Sequence, residues 1–188
     1  NVLGDELSRS TLLSTVKFRM GLDLDYSLFR SDDDQYFNEL TLEPLKKTAI
    51  NYVDGGAFDG DSYLELVKLH DVGEAYLFEP DMENFSKLKG RLARVKSRHS
   101  LMPLALSDAY KILSFSGQGE GCHIDSFDGG VQIAAAALDD VLCGVDLNFL
   151  KLDVEGAEAE ALWGAQTIIR QSKPVIAPSA YHRPQDLW

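Results

Sequence analysis

Val53-Asp54-Gly55-Gly56-Ala57-Phe58-Asp59-Gly60-Asp61 lies between a short apolar run, residues 49–53, and a segment of helical period that opens at Asp61 or Ser62. Glycines at such a strand-to-helix turn let the backbone approach a ligand closely, and the start of a helix offers N–H donors. The spacing is Gly-Gly-x-x-x-Gly, not the Gly-x-Gly-x-x-Gly of a dinucleotide fold, and Asp54 sets a carboxylate where a pyrophosphate would meet repulsion. A ligand carrying positive charge suits the turn better.

Outward from this stretch, apolar runs alternate with helical periods, the pattern of βαβ units and a largely parallel sheet. Residues 49–53 read as the first strand, followed by a helix with Leu64, Val67 and Leu69 near one face. Residues 75–78 read as the second strand, ended at Glu79-Pro80 because a proline restricts the residue before it. Phe85, Leu88 and Leu92 then form an apolar stripe on a helix over 82–94. A third strand is expected over 101–106, interrupted by Pro103. Residues 111–115 and 131–135 read as further strands around a turn region rich in glycine (Gly117, Gly119, Gly121, Gly129, Gly130). Residues 149–154 form a strand that Gly156 turns into a helix reaching about Arg170, and residues 175–177 form the last strand. Residues 1–48 lack a sustained strand pattern and read as a mainly helical extension ahead of a domain over 49–188.

Three further groups of polar residues fall at strand ends, where ligands bind in an open α/β sheet. Glu79 comes 25 positions after Asp54, about where an acid in a nucleotide-binding unit reaches ribose hydroxyls, and its two oxygens can accept from both at once. Ser107-Asp108 ends the third strand, where a polar side chain can accept from an adenine amino group. Lys151, Asp153, Glu155 and Glu158 surround the end of the strand over 149–154. S-adenosylmethionine, with its ammonium and sulfonium charges, answers this distribution of acids better than a nicotinamide cofactor. A nicotinamide-dependent oxidoreductase and a cofactor-binding protein without turnover are the alternatives.

Composition narrows the partners. The chain of 188 residues carries 18 Lys and Arg against 30 Asp and Glu, a net charge of −12. That balance repels nucleic acid and anionic lipid surfaces. Two cysteines, Cys122 and Cys143, are too few for a disulfide framework and read as reduced thiols of a cytoplasmic protein. No apolar run approaches the roughly 18 to 20 residues needed to cross a bilayer. The clusters Asp23-Leu24-Asp25 and Asp32-Asp33-Asp34 are expected to be solvated charge runs, and no metal site is expected. The basic run from Lys87 to Arg98 complements a helix dipole. The sequence starts without Met and stops at Trp188, so a longer native protein is expected.

Four motifs in order are Tyr52-Val53-Asp54-Gly55-Gly56-Ala57-Phe58-Asp59-Gly60, Tyr76-Leu77-Phe78-Glu79-Pro80-Asp81, Ala105-Leu106-Ser107-Asp108 and Leu150-Lys151-Leu152-Asp153-Val154-Glu155-Gly156-Ala157-Glu158. With Leu138-Asp139-Asp140-Val141-Leu142 ahead of the last of them, they resemble the FkbM family of S-adenosylmethionine-dependent methyltransferases from about residue 49 onward. The resemblance implies a class I methyltransferase fold: α/β and Rossmann-like, with a mostly parallel seven-stranded sheet, helices on both faces, and the last two strands missing here. It implies that Asp54, Gly56 and Gly60 line the methionine part of the cofactor, Glu79 the ribose and Asp108 the adenine edge, with Gly55, Ala57, Asp61 and Ser107 also in the cofactor site. Asp153 and Glu155 then sit beside the transferable methyl group. His182, in Tyr181-His182-Arg183-Pro184, has an intrinsic pKa near neutrality that suits a general base. The implied activity is O-methylation of a hydroxyl on a sugar or other polar small molecule.

Overall fold

The computed structural model describes residues 4–23, 25, 34–116, 123–124, 131–179 and 182. The Gly-rich turn region, Cys122 and Asp32-Asp33 lie outside them. The chain divides into two compact units, Asn1–Asn38 and Glu39–Trp188. The first holds helix α1, Glu6–Arg19, whose Asp5 cap accepts from the Ser8 amide at 2.8 Å. Glu6 in its first turn and Lys17 and Arg19 in its last complement the helix dipole. The second unit begins with a short helix α2, Glu39–Leu42, and one 3-10 turn, Glu43–Leu45.

A five-stranded sheet in the order β3-β2-β1-β8-β9 organises the second unit. Its strands are β1 (Ile50–Gly55), β2 (Val72–Phe78), β3 (Arg98–Met102), β8 (Phe149–Leu152) and β9 (Val175–Pro178). Every pairing in it is parallel. The crossovers hold α3 (Asp61–Leu69), α4 (Met82–Leu92), α5 (Leu138–Val141), α6 (Glu158–Trp163) and α7 (Gln166–Ser172). A second sheet, β4-β7-β5-β6, combines β4 (Ala105–Leu106), β5 (Lys111–Ser116), β6 (His123–Ile124) and β7 (Val131–Ala136). The strand order of the main sheet reverses between β1 and β8. Ligands in open α/β sheets bind in the crevice beyond such a switch point.

Alternation along the strands sends neighbouring side chains to opposite faces. On one face, Tyr52 stacks on Tyr63 of α3 with centroids 6.3 Å apart and meets Phe149 edge-on at 5.8 Å. On the other, Val53, Leu150 and Leu152 join Leu138, Leu142, Ala161, Ala165 and Ile168 of the α5–α7 region in one buried cluster. Helices therefore cover both faces, as the sequence implied.

The main sheet has five strands among the described residues, as expected of a seven-stranded sheet without its last two. Several local expectations change. The stretch 101–106 is two strands in different sheets, because Pro103 brings no amide to a ladder. The helix expected to run to Arg170 breaks into α6 and α7, where the Asp139 carboxylate accepts the Thr167 and Ile168 amides and caps the second piece. On α3 the buried residues are Tyr63 and Leu66, while Leu69 is half exposed. Gly60 rather than Asp61 or Ser62 occupies the cap position of α3. Among the described residues no helix is long and apolar enough to cross a membrane.

Asp54 and Lys151 are partners in the β1–β8 register, and both side chains are almost wholly buried. Lys151 Nζ donates to Asp54 Oδ1 at 2.7 Å and to the Gly56 carbonyl at 3.0 Å. Removing one member of a buried pair leaves an uncompensated charge, which typically costs about 3–5 kcal/mol. Lys151→Met is expected to lower unfolding stability by about that amount in urea titration, and adding Asp54→Leu to recover at least half of the loss.

Candidate active site

The loop after β1 is held down on its neighbours. The amides of Gly56 and Ala57 both donate to the Phe78 carbonyl, at 3.0 and 2.9 Å, and the Gly60 amide to the Ala57 carbonyl at 2.7 Å. Gly56 has φ +78°, and a Cβ there would strike the Asp153 carbonyl oxygen. Only glycine lets the two strand ends meet, and the Asp153 amide completes the contact by donating to the Gly55 carbonyl at 2.9 Å. Gly60, at φ +86°, would press a Cβ onto Leu88 of α4.

Glu79 closes the other side of this loop. Its Oε2 accepts the Phe58 amide at 2.8 Å and its Oε1 the Asp81 amide at 2.9 Å. Each carboxylate oxygen carries two lone pairs, so one acceptor position per oxygen is left over. Burial pushes Glu79 above the usual carboxylate range, against the pull of the two amides, and the nearby Asp81 and Asp54 charges add to the rise.

Asp54 itself has no exposed surface. Sequence reasoning set its charge against a cationic ligand; in the structure Lys151 takes that charge, and Asp54 supports the loop from beneath. Burial pushes its carboxyl up, Lys151 and the Tyr52 hydroxyl oppose the shift, and Asp61 raises it slightly. Asp54 Oδ2 is buried without a hydrogen-bond partner among the described residues. Ser107, buried after β4, donates its hydroxyl to Asp108 Oδ1 at 3.1 Å. Asp108 is exposed and also accepts from Lys111, which with Ser107 holds its carboxyl below the usual range.

Asp153, Glu155, Glu158 and His182 converge beyond β8. His182 Nε2 is 3.4 Å from both Asp153 Oδ1 and Glu155 Oε2, and its Nδ1 is 3.1 Å from Glu158 Oε1. Glu158 Oε1 also accepts the Val154 amide at 3.0 Å. The imidazole side chain is 12% exposed and that of Glu158 6%, whereas Glu155 is 65% exposed. Ligand atoms of Asp153, Glu158 and His182 lie within 4.8 Å of one another, a spacing open to a divalent cation as well as to a proton. The sequence marked Asp153, Glu155 and His182, but not the Lys151–Asp54 pairing or the burial of Glu158 against the ring. Neither leaves a signal at short range.

The amides of Gly56, Ala57, Phe58 and Gly60 are all engaged inside the protein. A loop that cradles a pyrophosphate would need such donors free. What the strand ends offer is acceptors: Glu79 after β2 and the carboxylate–imidazole cluster after β8.

A model of the Methyltransferase FkbM domain matches residues 54–187. In structure the chain is similar to methyltransferase FkbM from Methylobacillus flagellatus KT, with a TM-score of 0.74 and 25% identity, over 98% of this chain and 47% of that one. It therefore spans about half the length of that protein. No curated protein matches it. The family match runs from Asp54, beneath the first loop, through Glu79 to the His182 cluster, and the chain belongs to the FkbM methyltransferase family.

Proposed function

We propose that this chain transfers a methyl group from S-adenosylmethionine to a hydroxyl of a small-molecule or glycan acceptor in the cytoplasm. The observation that carries the reading is the set of acceptors at the strand ends on either side of the β1 loop, Glu79 after β2 and the carboxylate–imidazole cluster after β8, beside loop amides that are already engaged. The net charge of −12 argues for the same partners, since nucleic acid and anionic membranes are repelled.

The residues suit the donor. Glu79 keeps two acceptor positions for the ribose hydroxyls, and Gly56, without a Cβ, lets the loop lie flat across the β8 end. Ser107 and Asp108 stand after β4, where the adenine edge is expected. When bound, S-adenosylmethionine supplies an electrophilic methyl group on a positive sulfur. The protein's part is then to align the acceptor oxygen in line with that bond and to remove its proton. His182 Nε2 takes the proton, and Asp153 and Glu155 flank the positive ring that results. The engaged loop amides speak against a nicotinamide dinucleotide in the same crevice.

Calorimetry with S-adenosylhomocysteine and NAD tests the donor site: binding of the first and none of the second is expected. Glu79→Ala is expected to weaken S-adenosylhomocysteine by roughly 10- to 100-fold, the worth of hydrogen bonds to a charged group. The ionised form of Glu79 accepts both hydroxyls, and its pKa is raised. Affinity should therefore hold at neutral pH and fall as the pH drops through a value above the ordinary 4.5. Affinity that stays flat from pH 7 down to 4.5 would remove Glu79 from the ribose. For the reaction, methyl-labelled donor and a panel of polar hydroxyl compounds should yield label on oxygen, and His182→Ala should slow that transfer by about 10²- to 10⁴-fold.

A further inference from the structure

Glu158 is buried at the start of α6 and has no part in donor binding or proton removal as described above. We propose that Glu158 is a positioning residue that holds the proton of neutral His182 on Nδ1 and so turns the Nε2 lone pair toward the reacting hydroxyl. The proposal deepens the methyl-transfer reading and rests on it for its consequence, not for its geometry.

Three observations carry it. First, the carboxylate is fixed in place, because Oε1 accepts the Val154 amide four residues back at 3.0 Å. Second, among the carboxylates of the described residues the ring has one short contact and two longer ones: Nδ1 lies 3.1 Å from Glu158 Oε1, and Nε2 lies 3.4 Å from Asp153 Oδ1 and from Glu155 Oε2. An N–H···O bond has its optimum near 2.9–3.0 Å, so the single proton of a neutral imidazole belongs on Nδ1. Third, Glu158 is too buried to touch an acceptor, so it acts through the ring rather than on the substrate.

The consequence is directional. An imidazole with its proton on Nε2 would offer Asp153 and Glu155 a donor and would have no lone pair for a hydroxyl. With the proton on Nδ1, Nε2 takes the acceptor's proton. The ring then carries one N–H toward Glu158 and one toward Asp153 and Glu155, and every proton on it has an acceptor.

Nitrogen-15 NMR of the histidine-labelled chain, without cofactor or acceptor, reads the tautomer directly. The His182 signals are those absent from the His182→Asn variant, and spectra are taken at about pH 8.5, where an ordinary imidazole is neutral. The expected wild-type pattern is a protonated Nδ1 and an unprotonated Nε2. Glu158→Gln keeps an oxygen acceptor and should keep that pattern. Glu158→Ala should move the proton to Nε2, and Glu158→Met, which nearly fills the site without an acceptor, gives the same reading if the alanine variant does not fold. A wild-type ring protonated at Nε2, or an unchanged pattern in the variants lacking an acceptor, overturns the proposal. So does selective broadening of the His182 signals by Mn²⁺ at micromolar concentration, which would assign the cluster to a cation. Because the readout uses no donor, failure here leaves methyl transfer standing, and failure to bind S-adenosylhomocysteine leaves the tautomer result standing.

Discussion

Two opposite charges buried between adjacent strands constrain the rest of this site. Taking an ammonium and a carboxylate out of water costs several kcal/mol each, and their attraction offsets this only with good geometry and further hydrogen bonds. Lys151 meets both conditions, reaching Asp54 Oδ1 and the Gly56 carbonyl together. The second contact ties the ion pair to the loop. With the Gly56 carbonyl held by Lys151 and its amide held by Phe78, the peptide groups on either side of Gly56 are fixed, and the turn lies against the β8 end.

That arrangement decides what kind of ligand the crevice accepts. A glycine-rich loop with free amides is an anion site; this one has closed its amides on Phe78, Ala57 and Glu79. Asp54 acts one step removed, through the shape of the loop and through its field on Glu79. Asp54, expected to face a positive ligand, faces Lys151 instead.

Much of this was readable in one dimension, for a physical reason. Strand runs such as 149–152 and the stripe Leu88, Leu92 are local patterns, and burial enforces them wherever the chain goes. Glu79 was legible because a βαβ unit has a nearly fixed length, so spacing stands in for geometry. The Asp54–Lys151 pair was not, since its members are 97 residues apart and meet only through the β1–β8 register. The break between α6 and α7 escaped for the same reason: the capping carboxylate, Asp139, lies 28 residues from the amide it caps. His182 could be marked by its titration range and its place after the last strand. Asp153, Glu155 and Glu158 could be named beside it, but which ring nitrogen each faces became visible only with β9 beside β8.

The turn that follows β8 shows how the two halves of the site are coupled. Glu155 has φ +54° and Gly156 φ +92°, a left-handed pair in which the first member is not glycine. Such a residue costs about 1–3 kcal/mol and persists only where its surroundings hold it. Here the Asp153 amide, before the turn, donates to the Gly55 carbonyl, and the adjacent Val154 amide donates across the turn to Glu158 Oε1. The chain is thus anchored ahead of the strained residue and tied across it. A relaxed turn would carry Glu155 away from His182 and loosen the carboxylate that faces Nδ1, so the strain at Glu155 and the order of the imidazole are two aspects of one constraint. The Gly55–Asp153 hydrogen bond joins that constraint to the loop that Lys151 fixes, and the buried ion pair thereby reaches the carboxylate–imidazole cluster through backbone alone.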